Sequence, residues 1–338
     1  MPKTAVVILN YNTEEYLRKF LPALLSSCKG QDAEVIVADN ASTDGSAALM
    51  KAVFPDVRYI QLAENSGYTG GYNRALQEID AEYFILINSD IEVPEGWLEP
   101  LVGWMDAHPD CGACGPKLLS YHDKESFEYA GAAGGLLDRY GYPFCRGRVL
   151  QHVEKDCGQY DQPANVLWVS GACLMVRSSV WKALGGLDER FFAHMEEIDL
   201  CWRMQLQGWK VTLVPAAKVY HIGGGTLPNE SPFKLRLNFR NNLLLLENNL
   251  PATFASEGLN EKKARCKARR RIFTRMCLDG LSALVYLVTR RWSFYKAVVQ
   301  AHREYRQLRR PGEIPVNPHR PEGLHDGWIL PRALFRKN

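Results

Sequence analysis

The sequence predicts an α/β fold in which a mostly parallel sheet is covered by helices on both faces and followed by a C-terminal helical extension. Three observations carry that prediction. From Ala5 to Asp90, apolar runs bounded by polar turns alternate with stretches of helical spacing, the βαβα pattern of a parallel sheet. Three of those runs lead into Asn or Asp, at the edge where open α/β sheets hold their ligands. Beyond Ser231 the apolar residues recur only at helical spacing.

Ala5-Val6-Val7-Ile8-Leu9 is the first buried strand and runs into Asn10-Tyr11-Asn12. Glu14 to Ser27 has helical spacing, with Leu17, Leu21, Leu24 and Leu25 on one face. Glu34 to Ala38 is the second strand and ends at Asp39-Asn40. Asp44 or Ser46 then starts a helix through Ala47 to Val53, with Asp44 best read as its cap. Val57 to Leu62 makes a third short strand, and Tyr72 to Ile79 a helix behind a Gly-rich turn. Tyr83-Phe84-Ile85-Leu86-Ile87 is a strand buried on both faces, by its unbroken aliphatic and aromatic content. A helix follows from Trp97 to Ala107. Gly131 to Gly147 reads as loops or hairpins, and Leu167 to Arg177 as a strand around Ser170-Gly171-Ala172. Glu196 to Gln207 is a helix stopped by Gly208. Strand Lys210 to Val214, Pro215 and a short strand at Val219-Tyr220-His221 come next. Three helices remain, Phe233 to Asn249, Lys262 to Thr289 and Trp292 to Arg309, before a Pro-rich extended tail at 311–338.

Composition excludes several classes. A hydrophobic fraction of 46% and a charged fraction of 23% are those of an ordinary globular protein, and 338 residues suffice for one large domain with an appendage or for two domains. No segment reaches the roughly 18–20 apolar residues that span a bilayer; Met276 to Val288 is too short and carries Asp279. Nine cysteines form no regular framework, and Cys111-Gly112-Ala113-Cys114 reads as a buried turn in preference to a metal or redox motif. Free thiols without a leader sequence point to a reducing cytoplasm. The net charge of +3 hides an asymmetry. Residues 260–310 hold 15 Lys/Arg and 3 Asp/Glu, which is +12, leaving −9 for the remainder. A basic helix with an apolar face suits the interface of an anionic bilayer; in the other reading its apolar face packs on the sheet domain and its basic face is solvated or meets another copy.

The candidate chemistry lies at strand ends and at one helix start. Asp90, in the turn Asn88-Ser89-Asp90, can hold a hard divalent cation against phosphate oxygens; taken alone it is equally a capping residue. Asp39 can accept hydrogen bonds from a nucleoside. The segment Asn65 to Asn73 lets backbone N–H groups and a helix N-terminus approach an anion. It follows the third strand, so it is not the dinucleotide fingerprint. Glu196, Glu197 and Asp199 crowd a helix start, where the helix dipole favours them. Glu196 and Glu197 stand about 100° apart around that helix and should not share a task. Asp199 and Arg203 can pair one turn apart. Phe191-Phe192 can form an apolar wall that raises a carboxylate's pKa and suits it to general-base work. His221, before Ile222-Gly223-Gly224-Gly225-Thr226, is a metal ligand or a satisfied buried histidine.

Taken in order over residues 4–245, these segments resemble the family-two glycosyltransferases, in the branch similar to rhamnosyltransferases of bacterial cell-surface polysaccharide assembly. The matching text is Val6 to Asn12, Val37 to Gly45, Asn65 to Asn73, Leu86 to Asp90, Gly171 to Arg177, Gly186 to Phe192, Glu196 to Arg203, and His221. The resemblance implies a GT-A type fold and an inverting hexosyl- or deoxyhexosyl-transferase. It implies nucleotide-sugar contacts at Asn10, Asn12, Asp39, Asn65, Gly70, Gly71, Asn73 and Asn88. Asp90 and His221 would hold a divalent cation, Mg2+ or Mn2+, and Glu197 would be the catalytic base. Asp199 and Arg203 would serve the acceptor or support the helix. Asn88 stands where the family carries the first Asp of its metal motif, which removes a charge. The implied partners are a dTDP- or UDP-linked sugar and a lipid-linked or oligosaccharide acceptor, with no nucleic acid. The implied place is the cytoplasm, peripheral at the inner face of the membrane, as a monomer or homo-oligomer.

These expectations divide the chain into a glycosyltransferase domain at 1–245, with a nucleotide-sugar half at 1–115 and an acceptor half at 116–245. A basic helical extension at 246–310 and the tail at 311–338 follow. Two rivals are weighed. A sugar nucleotidyltransferase needs a Gly-rich basic loop after the first strand, and Asn10-Tyr11-Asn12-Thr13-Glu14-Glu15 has neither glycine nor lysine. A catalytically inactive nucleotide-sugar-binding or scaffold protein of the same fold is favoured by Asn88 alone.

Overall fold

A computed structural model describes residues 1–223 and 231–330, and in it the chain begins as a parallel unit. β1 (Thr4–Asn10), α1 (Glu14–Cys28), β2 (Ala33–Asp39), α2 (Ser46–Val53), β3 (Arg58–Gln61), α3 (Gly67–Gln77) and β4 (Tyr83–Ile87) alternate strand and helix. Strands β3, β2, β1 and β4 lie side by side, all parallel. Period-two alternation sets the layers. Ala5 and Val7 pack with Tyr72, Ala75 and Leu76 of α3 on one face, while Val6 and Ile8 pack with Leu17 and Leu21 of α1 and with Leu49 of α2 on the other. Asp44 caps two helices at once: its carboxylate accepts from the backbone N–H of Glu14 at 3.0 Å and of Ser46 at 3.0 Å.

The sheet then continues with strands of mixed direction. Next come β5 (Ile91–Glu92), α4 (Glu99–Ala107) and β6 (Cys111–Ser120), then the short strands β7 (Gly135–Asp138), β8 (Pro143–Cys145), β9 (Arg148–Val149), β10 (His152–Val153) and β11 (Ala164–Asn165). They are followed by β12 (Cys173–Arg177), α5 (Ser178–Ala183), α6 (Glu196–Leu206) and β13 (Lys210–His221). β12 runs antiparallel between β4 and β6, and β13 lies parallel beside β6, so the sheet crosses residue 115 without a break. The buried turn expected at Cys111–Cys114 is instead the start of β6. It is a central strand so closely packed that side chains barely fit: a Cβ on Gly115 would meet Val169 at 2.8 Å. Cys111 and Cys114 are buried free thiols on this strand. The strand expected over 167–177 is only β12, because Ser170 to Ala172 form a turn. The two strands expected at 210–214 and 219–221 are one, whose register against β6 slips between Leu213 and Lys218, around Pro215.

Three long helices close the fold. α7 (Pro232–Ser256) runs through Pro251, seven residues past its expected end; α8 (Glu261–Val288) and α9 (Trp292–Leu308) match their expected spans within a residue. One apolar core runs from Ala5 in β1 to Tyr305 in α9, so these helices share a core with the sheet. The tail is extended but anchored. His319 donates its N–H to Leu206 O, β14 (Leu324–His325) pairs parallel with β7, and Ile329 donates its N–H to Asp138. Residues 331–338 of the tail and Gly224 to Thr226 of the glycine run lie outside the described residues. Among the described residues, no helix is long and apolar enough to cross a membrane.

Candidate active site

The ends of β1, β2 and β4 converge on a polar edge. Register puts Asn10 beside Asp39, and Asn10 donates its amide to Asp39 Oδ2 at 2.7 Å and to Ser42 Oγ at 3.0 Å. Asp39, 1% exposed, also accepts from Ser42 N at 2.7 Å and Gln61 Nε2 at 3.2 Å. That leaves it roughly one of about four acceptor positions for a ligand. Asn12, in left-handed backbone at φ 55, accepts from Thr43 N at 2.7 Å and so closes the loop after β1 onto the loop after β2. The Thr13 hydroxyl bonds Asn10 Oδ1 at 2.5 Å and meets Ser89 Oγ at 2.8 Å, which ties the first strand end to the turn after β4. In that turn the half-buried Asn88 donates its N–H to Ala172 O at 3.0 Å.

The Gly-rich segment differs from its expected form. It is not a loop before a helix but the first turns of α3 itself, and the N-terminus is already occupied. Gly67 N donates to Asn65 Oδ1 at 2.9 Å and Thr69 N to Phe192 O at 3.2 Å. Gly67, at φ +73, has no room for a Cβ, which would meet Phe192 at 2.5 Å; Gly71 has none because of Leu9 at 2.7 Å. Gly70 is likewise buried in the helix. Gly71 and Gly67 therefore serve close packing of α3 on β1 and on the Phe192 segment, while a Cβ on Gly70 would meet the side chains of Arg74 and Ser66. Asn65 also accepts from Asn40 at 3.0 Å. Asn73, expected at the nucleotide, instead bonds both polar atoms of its amide to the backbone of Leu187, at 2.8 and 2.9 Å.

Asp90 and His221 meet because β5 pairs antiparallel with the end of β13, which sets His221 opposite Ile91. Nε2 of His221 lies 3.2 Å from Asp90 Oδ1, and its Nδ1 lies 3.4 Å from Glu128 Oε1; all three residues are buried. Burial pulls the imidazole pKa down, but the flanking Asp90 and Glu128 carboxylates push it up to about 10. Two cis ligands of a cation bound at about 2.1 Å stand roughly 3 Å apart, so Asp90 and His221 fit one divalent ion. Glu128, which the sequence reading did not single out, sits where a carboxylate orients a ligating imidazole.

Across the Ser170-Gly171-Ala172 turn lies the start of α6. The pKa of Glu197 is pushed up to about 7 by burial, against the pull of nearby backbone N–H groups, and its Oε2 has no hydrogen-bond partner among the described residues. Glu196 is raised well above the usual carboxylate range, by burial and by the neighbouring Glu197 charge, and its Oε2 is likewise without a partner among the described residues. Burial thus pushes both carboxyls of the pair upward, Glu197 to about 7. Tyr68 packs beside them, its hydroxyl on Gly171 O at 2.6 Å. The apolar wall expected of Phe191-Phe192 is divided: Phe191 enters the core, and Phe192 turns to Gly67 and Phe233.

This helix start is held under backbone strain. Phe192, His194 and Met195 all have left-handed backbone, at φ 64, 71 and 72. Two α7 side chains fix them. Asn241 donates to the carbonyls of Phe191, Ala193 and His194 at 3.0, 2.7 and 2.7 Å, and Arg240 donates to Phe191 O at 2.7 Å. Asp199 is fully buried; it accepts from Arg203 at 2.7 Å, Asn248 at 2.9 Å and Asn249 at 2.8 Å. Arg203 reaches on to Leu184 O and Gly186 O, so this pair ties α6 to α7 and to the Leu184–Gly186 turn. The signal for Arg240 and Asn241 was present as polar residues inside the Leu-rich stretch to Leu246.

Comparison with known proteins follows the same lines. The family model for glycosyl transferase family 2 matches residues 5–164. Over 234 residues the chain is 31% identical to N-acetylglucosaminyl-diphospho-decaprenol L-rhamnosyltransferase of Mycobacterium tuberculosis, spanning 64% of this chain and 75% of that protein. It is 27% identical over 223 residues to the O-antigen biosynthesis protein RfbC of Myxococcus xanthus, spanning 65% of this chain and 17% of that much longer one. The mannosyltransferase PcManGT from Pyrobaculum calidifontis, solved in complex with GDP-Man and Mn2+, has the same fold. It superposes with a TM-score of 0.52 at 14% identity, over 90% of this chain and 87% of that one.

Proposed function

The chain belongs to glycosyl transferase family 2, and we propose that it moves a hexosyl or deoxyhexosyl group, rhamnose favoured, from a dTDP- or UDP-linked donor to a saccharide hydroxyl with inversion. The proposed acceptor is lipid-linked, or failing that an oligosaccharide, and the product a cell-surface polysaccharide. The M. tuberculosis relative, named for a decaprenol-linked acceptor, and the O-antigen relative support that choice. Residues 1–115 are assigned to the donor, 116–245 to the acceptor, and 246–310 to a basic extension at an anionic membrane. Nine free thiols agree with a reducing cytoplasm.

The observation that carries the reading is the pairing of a half-buried carboxylate titrating near pH 7 with a buried Asp–His pair beyond one intervening turn. Glu197 is the proposed base. It takes the proton of the acceptor hydroxyl as that oxygen attacks the anomeric carbon on the side opposite the leaving diphosphate. Asn10, Asn12, Asp39, Asn88 and Gly70 are the proposed donor-side residues, with Gly71 allowing the close packing of α3 on β1. A divalent cation, Mg2+ or Mn2+, would be held by Asp90 Oδ1 and His221 Nε2 and would neutralise charge on the leaving diphosphate. Asp199 and Arg203 support the helix that presents Glu197. The test is nucleotide release from dTDP-rhamnose and from UDP-sugars, measured with Mn2+ and with excess chelator. Cation-stimulated release from one donor supports the reading; no release from any donor, with or without a saccharide acceptor, defeats it.

A further inference from the structure

The second half of α8 is built inside out. The inward stripe of the whole helix is Ala264, Ala268, Ile272, Arg275, Asp279 and Ala283, at helical spacing and buried, so that its charged members fall in that second half. Within that stripe Arg275 Nε pairs with Asp279 Oδ1 at 2.7 Å, Arg275 Nη1 with Asn242 at 2.6 Å, and His302 approaches Asp279 at 3.2 Å. Charges thus face the core while large apolar side chains face outward. Phe273, Leu281, Leu284, Val285 and Val288, with Trp292 at the start of α9, are each between 53% and 73% exposed. They follow one face of the helix for about 22 Å. The other exposed large apolar residues among the described ones, Met1, Val53, Tyr129, Phe233 and Val316, are scattered. A contiguous apolar face of this kind marks a surface that meets something other than water.

We propose that this face docks on an anionic lipid bilayer. Its charge surroundings select that partner. Lys262, Lys263, Arg269 and Arg270 are exposed on the first half of α8, and Arg290, Arg291 and Lys296 are exposed beyond the apolar stripe, so positive charge bounds it at both ends. The acidic residues of 260–310 do not offset it outward. Asp279 is buried in its own pair, Glu304 is held by Arg236 and Arg240, and Glu261 pairs with Arg265. An apolar ridge between basic ends lets side chains enter the acyl boundary while the cations meet lipid phosphates. The sequence left open whether this helix packs on the body or meets a membrane. Opposite faces permit both, the inward one against α7 and the outward one to the bilayer. The inference gives the proposed lipid-linked acceptor its setting but does not depend on turnover.

Flotation of the full-length chain with vesicles made of equal parts phosphatidylglycerol and phosphatidylcholine is the test. Binding is expected at low salt, with weakening at high salt and on vesicles of phosphatidylcholine alone. The exposed-face variant Leu281→Ser/Leu284→Ser/Val288→Ser should lose more than about tenfold in partitioning while keeping its melting temperature and its nucleotide release in solution. The charge variant Arg269→Glu/Arg270→Glu/Arg290→Glu should lose binding to the anionic vesicles in the same way. Equal flotation of wild type and the Ser variant overturns the proposal, as does absence of flotation by the wild type. Light scattering that shows a wild-type dimer dissolved by the Ser variant assigns the face to a second copy and also overturns it. Flotation without nucleotide release would spare this inference and defeat the enzymatic reading, so the two failures are distinguishable.

Discussion

At the carboxyl edge of β1, β2 and β4, positions follow from strand register. Asn10 faces Asp39 because β1 and β2 pair residue for residue, and His221 reaches Asp90 because β5 pairs with β13. At the start of α6 no ladder fixes the chain. A segment with three left-handed residues is held through the carbonyls of Phe191, Ala193 and His194 by the side chains of Arg240 and Asn241, borne on a helix that starts more than thirty residues later. An edge set by backbone pairing tolerates change in any one side chain. A strained turn set by side-chain amides concentrates the load on a few of them, since each strained residue costs of order 1–3 kcal/mol and persists only while its surroundings hold it.

The largest break should come at Glu197. Glu197→Gln is expected to lower kcat by about 10²–10⁴-fold with the donor KM nearly unchanged. In the wild type kcat/KM should rise with pH through about 7 as Glu197 loses its proton, and that limb should vanish in the variant. Steady-state kinetics across pH checks both; a preserved limb in the Gln variant would move the base elsewhere, with Glu196 next.

On the register-built side, Asp90→Ala should remove the response to Mn2+ and to chelator. Glu128→Gln should weaken cation affinity by about 10–100-fold while leaving its stoichiometry intact, the usual effect of losing the carboxylate behind a ligating histidine. Calorimetric titration of the protein with Mn2+ measures both. Unchanged affinity in Glu128→Gln would show that the backbone alone orients His221.

The clamp gives a smaller, mixed effect. Asn241→Ala removes the amide that serves three carbonyls, each left buried at a cost of about 1–3 kcal/mol unless water enters. The expectation is a drop in kcat of about tenfold, an unchanged donor KM and a melting temperature lower by several degrees. Asn241→Gln should restore part of kcat. A loss of stability with full kcat would confine Asn241 to packing.

The smallest effect on activity is expected at Glu196, where the readout is stability. Burial and the neighbouring Glu197 charge hold its folded pKa well above the ordinary carboxylate range, so the folded state keeps a proton that the unfolded chain releases. Stability then falls as pH rises from the ordinary carboxylate range toward the folded pKa. Glu196→Gln cannot ionise and should melt higher than wild type at about pH 8, with the two converging at about pH 4. A variant that melts lower at the higher pH would mean that Glu196 is charged in the fold.

The register-built half was the more legible in sequence. Alternation and strand-end Asn and Asp residues mark β1, β2 and β4 directly, and order along the chain relates them. What escaped were residues whose role depends on distant partners. Glu128 and Gln61 gain meaning only when another strand end arrives beside them. Asn241 looked like one polar residue in a Leu-rich helix. β6 escaped for a different reason: Gly112, Gly115 and Pro116 carry turn chemistry, yet the central strand needs small residues because Trp209 and Val169 press on it. Asn73 lies in the run that the sequence places at the nucleotide, while its own amide faces Leu187.

The anchored tail bears on how the chain is made. Leu324 pairs with Leu137, and Ile329 donates its N–H to the Asp138 carboxylate, so the small sheet that carries β7 gains β14 only from residues translated long after β7 itself. During synthesis the earlier strands and helices emerge with that edge open, and domains otherwise fold from the N-terminus as they appear. Contacts of such sequence separation form slowly, because the loop between them must be closed first. A ribosome that stalls before Gly323 would therefore release a protein with its main sheet complete and the β7 edge bare, a ready template for aggregation with its own kind.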